Sequence, residues 1–115
     1  MKLEEISRRL SLEVQTGAGK LDAEVTGGYA CDLLSYVMAN AKEGNVWVTI
    51  QSHPNIVAVA SLLNLAGVVI TEGGKPEPVT VAKAEKEGVP ILTTDRTTFE
   101  IAGRLYQLGV GQAEG

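Results

Sequence analysis

Polar side chains follow three predicted strands of this sequence, at positions where a small ligand could be held. The strands are predicted at Val46–Ile50, Val68–Ile70 and Ile91–Thr93, and open α/β sheets bind ligands beyond the carboxyl ends of their strands. Helices are predicted to begin there as well, and a helix amino terminus offers free N–H groups to a phosphate or carboxylate. Arg96 adds a guanidinium that matches such an oxyanion. We therefore predict a site for a small anionic ligand, such as a nucleotide, at His53, Asn55, Glu72, Gly73, Gly74, Thr94, Asp95, Arg96, Thr97 and Thr98.

A further glycine-rich segment precedes another predicted helix and is added to this predicted ligand site. It consists of Thr26, Gly27 and Gly28. A structural interpretation of the site residues stays open beside the functional one, because Asn and Thr are also the residue types that cap helices. Asp95 and Arg96 are adjacent and could simply pair with each other.

The residue patterns that catalysis or a cofactor requires are missing. Neither Gly-Lys pair, at residues 19–20 and 74–75, is followed by the Ser or Thr of a phosphate-binding loop. His53 has no designated partner for proton transfer, and Cys31 has no cationic neighbour that would activate its thiol. One histidine and one cysteine leave almost no basis for a zinc site. We predict a non-catalytic protein with no metal and no cofactor.

The overall charge argues against two classes of partner. Ten Lys and Arg residues stand against fourteen Asp and Glu residues, so the formal net charge is −4. Binding to nucleic acid or to an anionic membrane needs a basic surface, and no run of about 20 apolar residues is present that could span a bilayer. We expect no nucleic-acid partner and no membrane partner. The single cysteine and the acidic amino terminus favour a cytoplasmic location.

The order of elements predicts a single α/β domain with a mainly parallel sheet and helices packed around it. Short β-branched apolar runs alternate with segments whose apolar residues recur at helical spacing. Glycines 44, 67 and 88 each stand between a predicted helix and a predicted strand, which is typical of helix ends. An extended segment is predicted at 24–26, followed by a helix that includes Cys31. The domain is predicted to span residues 1–111, with a loose tail at residues 112–115.

The middle of the sequence carries no charge, which is unusual for a helix that faces water. No charged residue occurs between Glu43 and Glu72, a stretch that includes the predicted helix Ile56–Ala66. Exposed apolar surfaces often form interfaces between identical subunits. We therefore predict a homodimer whose interface contains Ile56, Val59, Ala60 and Leu63. The alternative is that the first helix and the amino-terminal strands cover this segment within one chain.

Several segments, in this order, resemble the DRTGG domain family. They are Leu21–Ala30, Asp32–Leu34, Val46–Gln51, Val68–Gly73, Gly88–Leu92, Thr97–Glu100 and Gly103–Leu105, and the likeness extends from the first helix to Leu108. The resemblance implies a small α/β unit similar to the amino-terminal domain of HPr kinase/phosphorylase. It also implies a regulatory or dimer-forming role, because such domains stand beside CBS domains in regulated pyrophosphatases and in some phosphotransacetylases. Stand-alone copies occur near iron-only hydrogenase genes of anaerobes.

One position departs from the family pattern. Asp22 is followed by Ala23, where family members often have Arg. The resemblance therefore implies that this chain lacks any contact which that arginine makes, and it supplies no catalytic residues.

Two functions are compatible with these features. The first is a non-catalytic regulatory and dimerisation module that senses a small anionic ligand such as a nucleotide. The alternative is a protein-interaction accessory that docks onto a larger enzyme, either a hydrogenase-associated redox enzyme or a phosphotransfer enzyme.

Overall fold

The structure is a computed structural model, and it describes residues 1–111. The predicted tail at residues 112–115 lies outside the described residues. Five helices and five strands alternate along most of the chain. In chain order they are α1 Leu3–Arg9, β1 Glu13–Thr16, β2 Gly27–Ala30, α2 Leu34–Asn40, β3 Asn45–Thr49, α3 Asn55–Leu63, β4 Gly67–Ile70, α4 Pro78–Glu87, β5 Ile91–Thr93 and α5 Thr98–Gln107.

The five strands form one sheet in the order β1-β5-β4-β3-β2. Strands β2, β3, β4 and β5 run parallel, and β1 runs antiparallel to β5. The predicted α/β class is confirmed, and the sheet is mixed because of β1. The carboxyl ends of the four parallel strands consequently lie at the same edge of the sheet, together with the amino end of β1.

Helices cover both faces of the sheet, which explains the continuous apolar runs in the central strands. Alternate residues of β3 belong to two separate core clusters: Trp47 packs with residues of α2, α3 and α4, whereas Val46 and Val48 pack with residues of α1 and α5. This alternation follows from the period of two along a strand. The domain is therefore a three-layer sandwich in which α3 lies between α2 and α4.

Strand β2 differs from the prediction. The extended segment was expected at 24–26 with Cys31 in the next helix, but β2 covers Gly27–Ala30 and α2 begins only at Leu34. The Trp47 indole N–H donates to the Cys31 carbonyl at 2.8 Å and fixes the exit of the strand. Glycine has a low strand propensity, and Gly27 and Gly28 are in a strand because they pair with β3 at the edge of the sheet.

Candidate functional site

Three loops meet at the carboxyl ends of β3, β4 and β5. The Thr71 hydroxyl lies 2.6 Å from the Thr98 hydroxyl and 3.5 Å from the Thr49 carbonyl oxygen, so it joins the three loops. Of the ten residues predicted to follow these strands, seven lie in the loops after β4 and β5 and His53 lies in the loop after β3, whereas Asn55 and Thr98 are the first residues of α3 and α5. We call the surface formed by residues 32–33, 50–55, 71–77 and 94–99 the carboxyl edge.

The loops after β4 and β5 are bonded to each other through their backbones. The Glu72 N–H donates to the Arg96 carbonyl at 2.8 Å, and the Gly73 N–H donates to the Thr94 carbonyl at 3.0 Å. Both Glu72 and Gly73 have positive φ, 61° and 76°. A left-handed conformation is uncommon for a residue with a side chain, and here it directs the Glu72 carboxylate towards α5.

The amino terminus of α5 already holds a carboxylate of its own chain. Glu72 Oε2 accepts a hydrogen bond from the Thr98 N–H at 2.8 Å, and the Thr97 hydroxyl accepts one from the Glu100 N–H at 3.1 Å. The predicted capping role of Thr97 is confirmed. An external anion at this helix terminus would have to displace Glu72.

We expect Glu72→Ala to lower the free energy of unfolding by about 1 kcal/mol, because the helix loses a charged cap. Glu77→Ala is the matched control, since it also removes one exposed carboxylate but one that caps no helix N–H through its side chain. Urea unfolding followed by circular dichroism measures both changes. Equal losses in the two variants would contradict the capping role.

Arg96 pairs with Glu100 rather than with Asp95. Its Nε lies 3.2 Å from Glu100 Oε2, and its Nη1 is buried without a hydrogen-bond partner within the described chain. Arg96 also lines a cavity of about 250 Å³ with Ser11, Lys75, Glu13 and Asp95. The cavity therefore carries two cations and two carboxylates, and Lys75 Nζ lies 4.0 Å from Glu13 Oε2.

His53 and Asn55 lie at the start of α3 and act locally. The His53 Nδ1 accepts a hydrogen bond from the Asn55 N–H at 3.1 Å, and no side-chain oxygen caps this helix. The predicted capping by Asn55 is therefore wrong, and the histidine takes that place. An imidazole nitrogen that accepts a backbone N–H is not available at that atom for proton transfer.

Thr26, Gly27 and Gly28 are not part of the carboxyl edge. They lie at the amino end of β2, beside Asn45 at the start of β3, and hence at the opposite edge of the sheet. The Thr26 hydroxyl donates to the Glu43 carbonyl at 2.8 Å and accepts from Asn45 Nδ2 at 3.3 Å. The expectation that this segment joins the other site residues is wrong, because the glycines belong to a strand and not to a strand-to-helix loop.

The predicted interface residues lie largely inside the chain. Ile56, Val59 and Ala60 are buried, and Leu63 is half-buried. They pack against the sheet and the neighbouring helices α2 and α4, so Ile56, Val59 and Ala60 leave little surface for an interface. Helices α2 and α4, and not the first helix and the amino-terminal strands, pack beside them. The large apolar side chain that α3 presents to solvent is Leu62, which is 68% exposed.

An uncharged surface does exist beside these buried residues. Helices α2 and α3 contact each other, and none of their exposed residues is charged. We call this surface the α2–α3 face; it consists of Ser35, Tyr36, Met38, Ala39, Asn40, Asn55, Ala58, Ser61 and Leu62.

The sequence of this chain also matches a known protein family. The sequence model of the DRTGG domain matches residues 5–108, which is most of the chain. The chain belongs to the DRTGG domain family. The predicted family membership is confirmed.

A solved structure has the same fold as this DRTGG domain. It is the crystal structure of the CBS and DRTGG domains of the regulatory region of Clostridium perfringens pyrophosphatase, complexed with the activator diadenosine tetraphosphate. The TM-score is 0.74 at 18% sequence identity, over 96% of this chain and 47% of that one. This chain thus spans about half the length of its solved neighbour. No curated protein matches it.

The sequence prediction missed one polar residue that organises the carboxyl edge of this DRTGG domain. Asp32 follows β2, and its Oδ1 accepts hydrogen bonds from the Thr49 hydroxyl at 2.8 Å and from the Ile50 N–H at 2.9 Å. The available signal was an aspartate directly after an extended segment. The predicted helix that includes Cys31 hides this signal, because it places Asp32 inside a helix.

Two further properties concern the described part of the DRTGG domain. In residues 1–111, no three His, Cys, Asp or Glu side chains group closely enough to hold a metal ion. Over the same residues, no helix has the length and apolar character needed to cross a membrane.

Proposed function

We propose that this DRTGG domain is a non-catalytic regulatory module that forms a homodimer through the α2–α3 face. The observation that carries the proposal is the charge-free surface of two adjacent helices. A helix that faces water normally carries a charged stripe, and exposed apolar side chains, here Tyr36, Met38 and Leu62, are typical of an interface. In an isologous dimer the same patch faces itself, so the absence of charge also avoids repulsion between like charges.

The regulatory part of this proposal is supported by the context of the solved neighbour, whose DRTGG domain belongs to a regulatory region. The non-catalytic part is supported by the local roles of the candidate groups. His53 accepts a backbone N–H, and the thiol of Cys31 is 3.9 Å from the Leu33 carbonyl oxygen. The single cysteine also supports the cytoplasmic location that we propose, and similarity to HPr kinase/phosphorylase stays a prediction.

The ligand that we propose for this module is a small anion such as a nucleotide. The solved neighbour was crystallised with a nucleotide activator. In this chain the position that we propose is the cavity lined by Arg96 and Lys75, where the anion would compete with Glu100 and Glu13 for the two cations. The experiment is a native mass spectrum with and without diadenosine tetraphosphate and ATP. A dimer that carries a nucleotide supports both parts, whereas a monomer contradicts the dimer and an unliganded spectrum contradicts the ligand.

We expect Arg96→Ala to weaken nucleotide binding by about 10-fold or more, because a charge-assisted hydrogen-bond donor is removed from the cavity. Isothermal titration with the nucleotide found in the mass spectrum measures this change. Lys42→Ala is the matched control, since it removes one exposed positive charge at the opposite edge of the sheet. Equal affinities of all three proteins would place the site away from Arg96.

A second candidate function is a protein-interaction accessory that docks onto a larger redox or phosphotransfer enzyme. The observation that favours it is Phe99, which is 89% exposed at the carboxyl edge. A large aromatic side chain at this level of exposure is a common anchor in protein interfaces.

A further inference from the structure

Three large apolar side chains stand in solvent around the carboxyl edge. Phe99 is 89% exposed, Leu33 57% and Ile50 52%. Their positions are fixed by hydrogen bonds of the residues that precede them. The hydroxyl of Thr98 is bonded to that of Thr71, which reaches the carbonyl of Thr49. Ile50 is therefore close to the start of α5, where Phe99 lies.

Leu33 joins the same surface through the residue before it. Asp32 accepts the Ile50 N–H, and the Gln51 side-chain amide donates to the Asp32 carbonyl at 3.1 Å. The three apolar side chains thus come from three separate elements that polar contacts hold together. Such a set differs from singly scattered surface residues, which need no explanation.

Three exposed carboxylates lie beside the elements that carry these apolar side chains, and none forms an ion pair with a residue in the range 1–111. They are Asp32, Glu72 and Glu77. Asp95 instead lines the cavity with Arg96 and Lys75, at the β1–β5 end of the carboxyl edge. Hydrogen bonds place Asp32 beside Ile50 and Glu72 at the start of α5. The Glu77 N–H donates to the Ser52 carbonyl at 3.2 Å.

These carboxylates are not arranged for a metal ion, since no metal-binding group of side chains is formed in the part of the chain that the structure describes. Carboxylates that are spread around exposed apolar side chains are instead typical of a surface that binds another macromolecule. The anchors supply affinity, and the surrounding charges select and steer a partner of opposite sign.

We propose that the carboxyl edge binds a basic amphipathic segment of a partner protein, with apolar side chains placed on Phe99, Ile50 and Leu33 and with Lys or Arg side chains facing the carboxylates of Asp32, Glu72 and Glu77. This inference rests on the proposed regulatory function, because a non-catalytic regulator acts by contacting another protein. A second copy of this chain does not fit here, since two acidic edges in contact would repel each other.

The test uses the full chain and a fluorescent synthetic peptide that has a Leu-rich centre and Lys and Arg at both flanks. A second peptide carries Glu in place of every Lys and Arg. Fluorescence anisotropy measures binding to the wild-type protein and to Phe99→Ser, Ile50→Ser and Leu62→Ser. The last of these is the matched control, because Leu62 is also highly exposed but lies on the α2–α3 face.

We expect the basic peptide to bind and the acidic peptide not to bind. Phe99→Ser and Ile50→Ser each weaken binding by about 10-fold or more, whereas Leu62→Ser leaves it unchanged. Raising NaCl from about 0.05 M to about 0.5 M weakens binding further, because the carboxylates are exposed to solvent.

Two results would overturn the inference: equal binding of the two peptides, or binding of the basic peptide that is insensitive to Phe99→Ser and Ile50→Ser. Absence of binding by both peptides also contradicts it. Loss of the dimer in Phe99→Ser would assign this edge to self-association. None of these results alters the dimer test at Leu62, so failure of this inference and failure of the proposed function are distinguishable.

Discussion

Leu62→Asp is expected to dissociate the proposed dimer into folded monomers. The Leu62 side chain is 68% exposed in the single chain, so an aspartate there stays in water when the monomer folds. In the dimer the same carboxylate would be buried against an uncharged surface with no cationic partner. Burial of an unpaired charge costs several kcal/mol, and we expect the dissociation constant to rise by about 100-fold or more.

Two other variants separate an interface effect from a folding effect. Ile56→Asp should prevent folding, because Ile56 is 1% exposed and packs within the core of one chain. Val79→Asp should leave both fold and dimer intact, because Val79 is an exposed apolar residue on α4, outside the α2–α3 face. Native mass spectrometry gives the oligomeric state, and circular dichroism gives the folded fraction. A Leu62→Asp protein that stays dimeric would place the interface elsewhere.

The fold could be predicted from sequence where periodicity and helix ends agreed. Val68–Ile70 and Ile91–Thr93 were predicted as strands and are strands in the structure, because a short β-branched run between helical segments has few other possibilities. Gly88 has a φ of 70° and ends α4 as predicted, because glycine is the residue type that most readily takes the left-handed conformation at a helix end. The α3 end was misplaced, because Asn64 with a φ of 54° takes the left-handed position and Gly67 belongs to β4.

The sequence predicts where the candidate site lies in the fold, but it does not predict which contacts the side chains of the site make. The loops after β3, β4 and β5 lie at one edge because these strands run parallel, as strands joined by helices usually do. The contacts of Arg96 and Glu72 depend on how the loop after β4 turns, and a left-handed glutamate gives no signal in the sequence. The sequence also could not separate the two sides of α3, since both are apolar and only packing decides that Ile56 is inside and Leu62 outside.

Gly44→Ala is expected to lower the free energy of unfolding by about 2–3 kcal/mol. Gly44 has a φ of 81°, and an alanine in that conformation costs about 1–2 kcal/mol. A Cβ there would also lie 2.7 Å from Thr26 Cγ2 and 2.8 Å from Thr26 Oγ1. Thr26 cannot easily move away, because its hydroxyl bonds the Glu43 carbonyl and its branched side chain is stiff. Urea unfolding of Gly44→Ala measures the loss, with Gly19→Ala as a control at a position where an added Cβ meets nothing.

A double-mutant cycle then decides what Thr26 does in the family motif. In a Thr26→Ala background the contacts with Cγ2 and Oγ1 are removed, so Gly44→Ala should cost only about 1–2 kcal/mol, the backbone part of the effect. An equal cost in both backgrounds would show that Thr26 does not constrain Gly44. Nucleotide affinity of the Thr26→Ala protein gives a second result. If Thr26 acts only as a structural contact at the edge of the sheet opposite the carboxyl edge, Thr26→Ala lowers the free energy of unfolding and leaves the affinity unchanged. A loss of affinity at unchanged stability would instead return Thr26, Gly27 and Gly28 to the ligand site, at the edge of the sheet opposite Arg96.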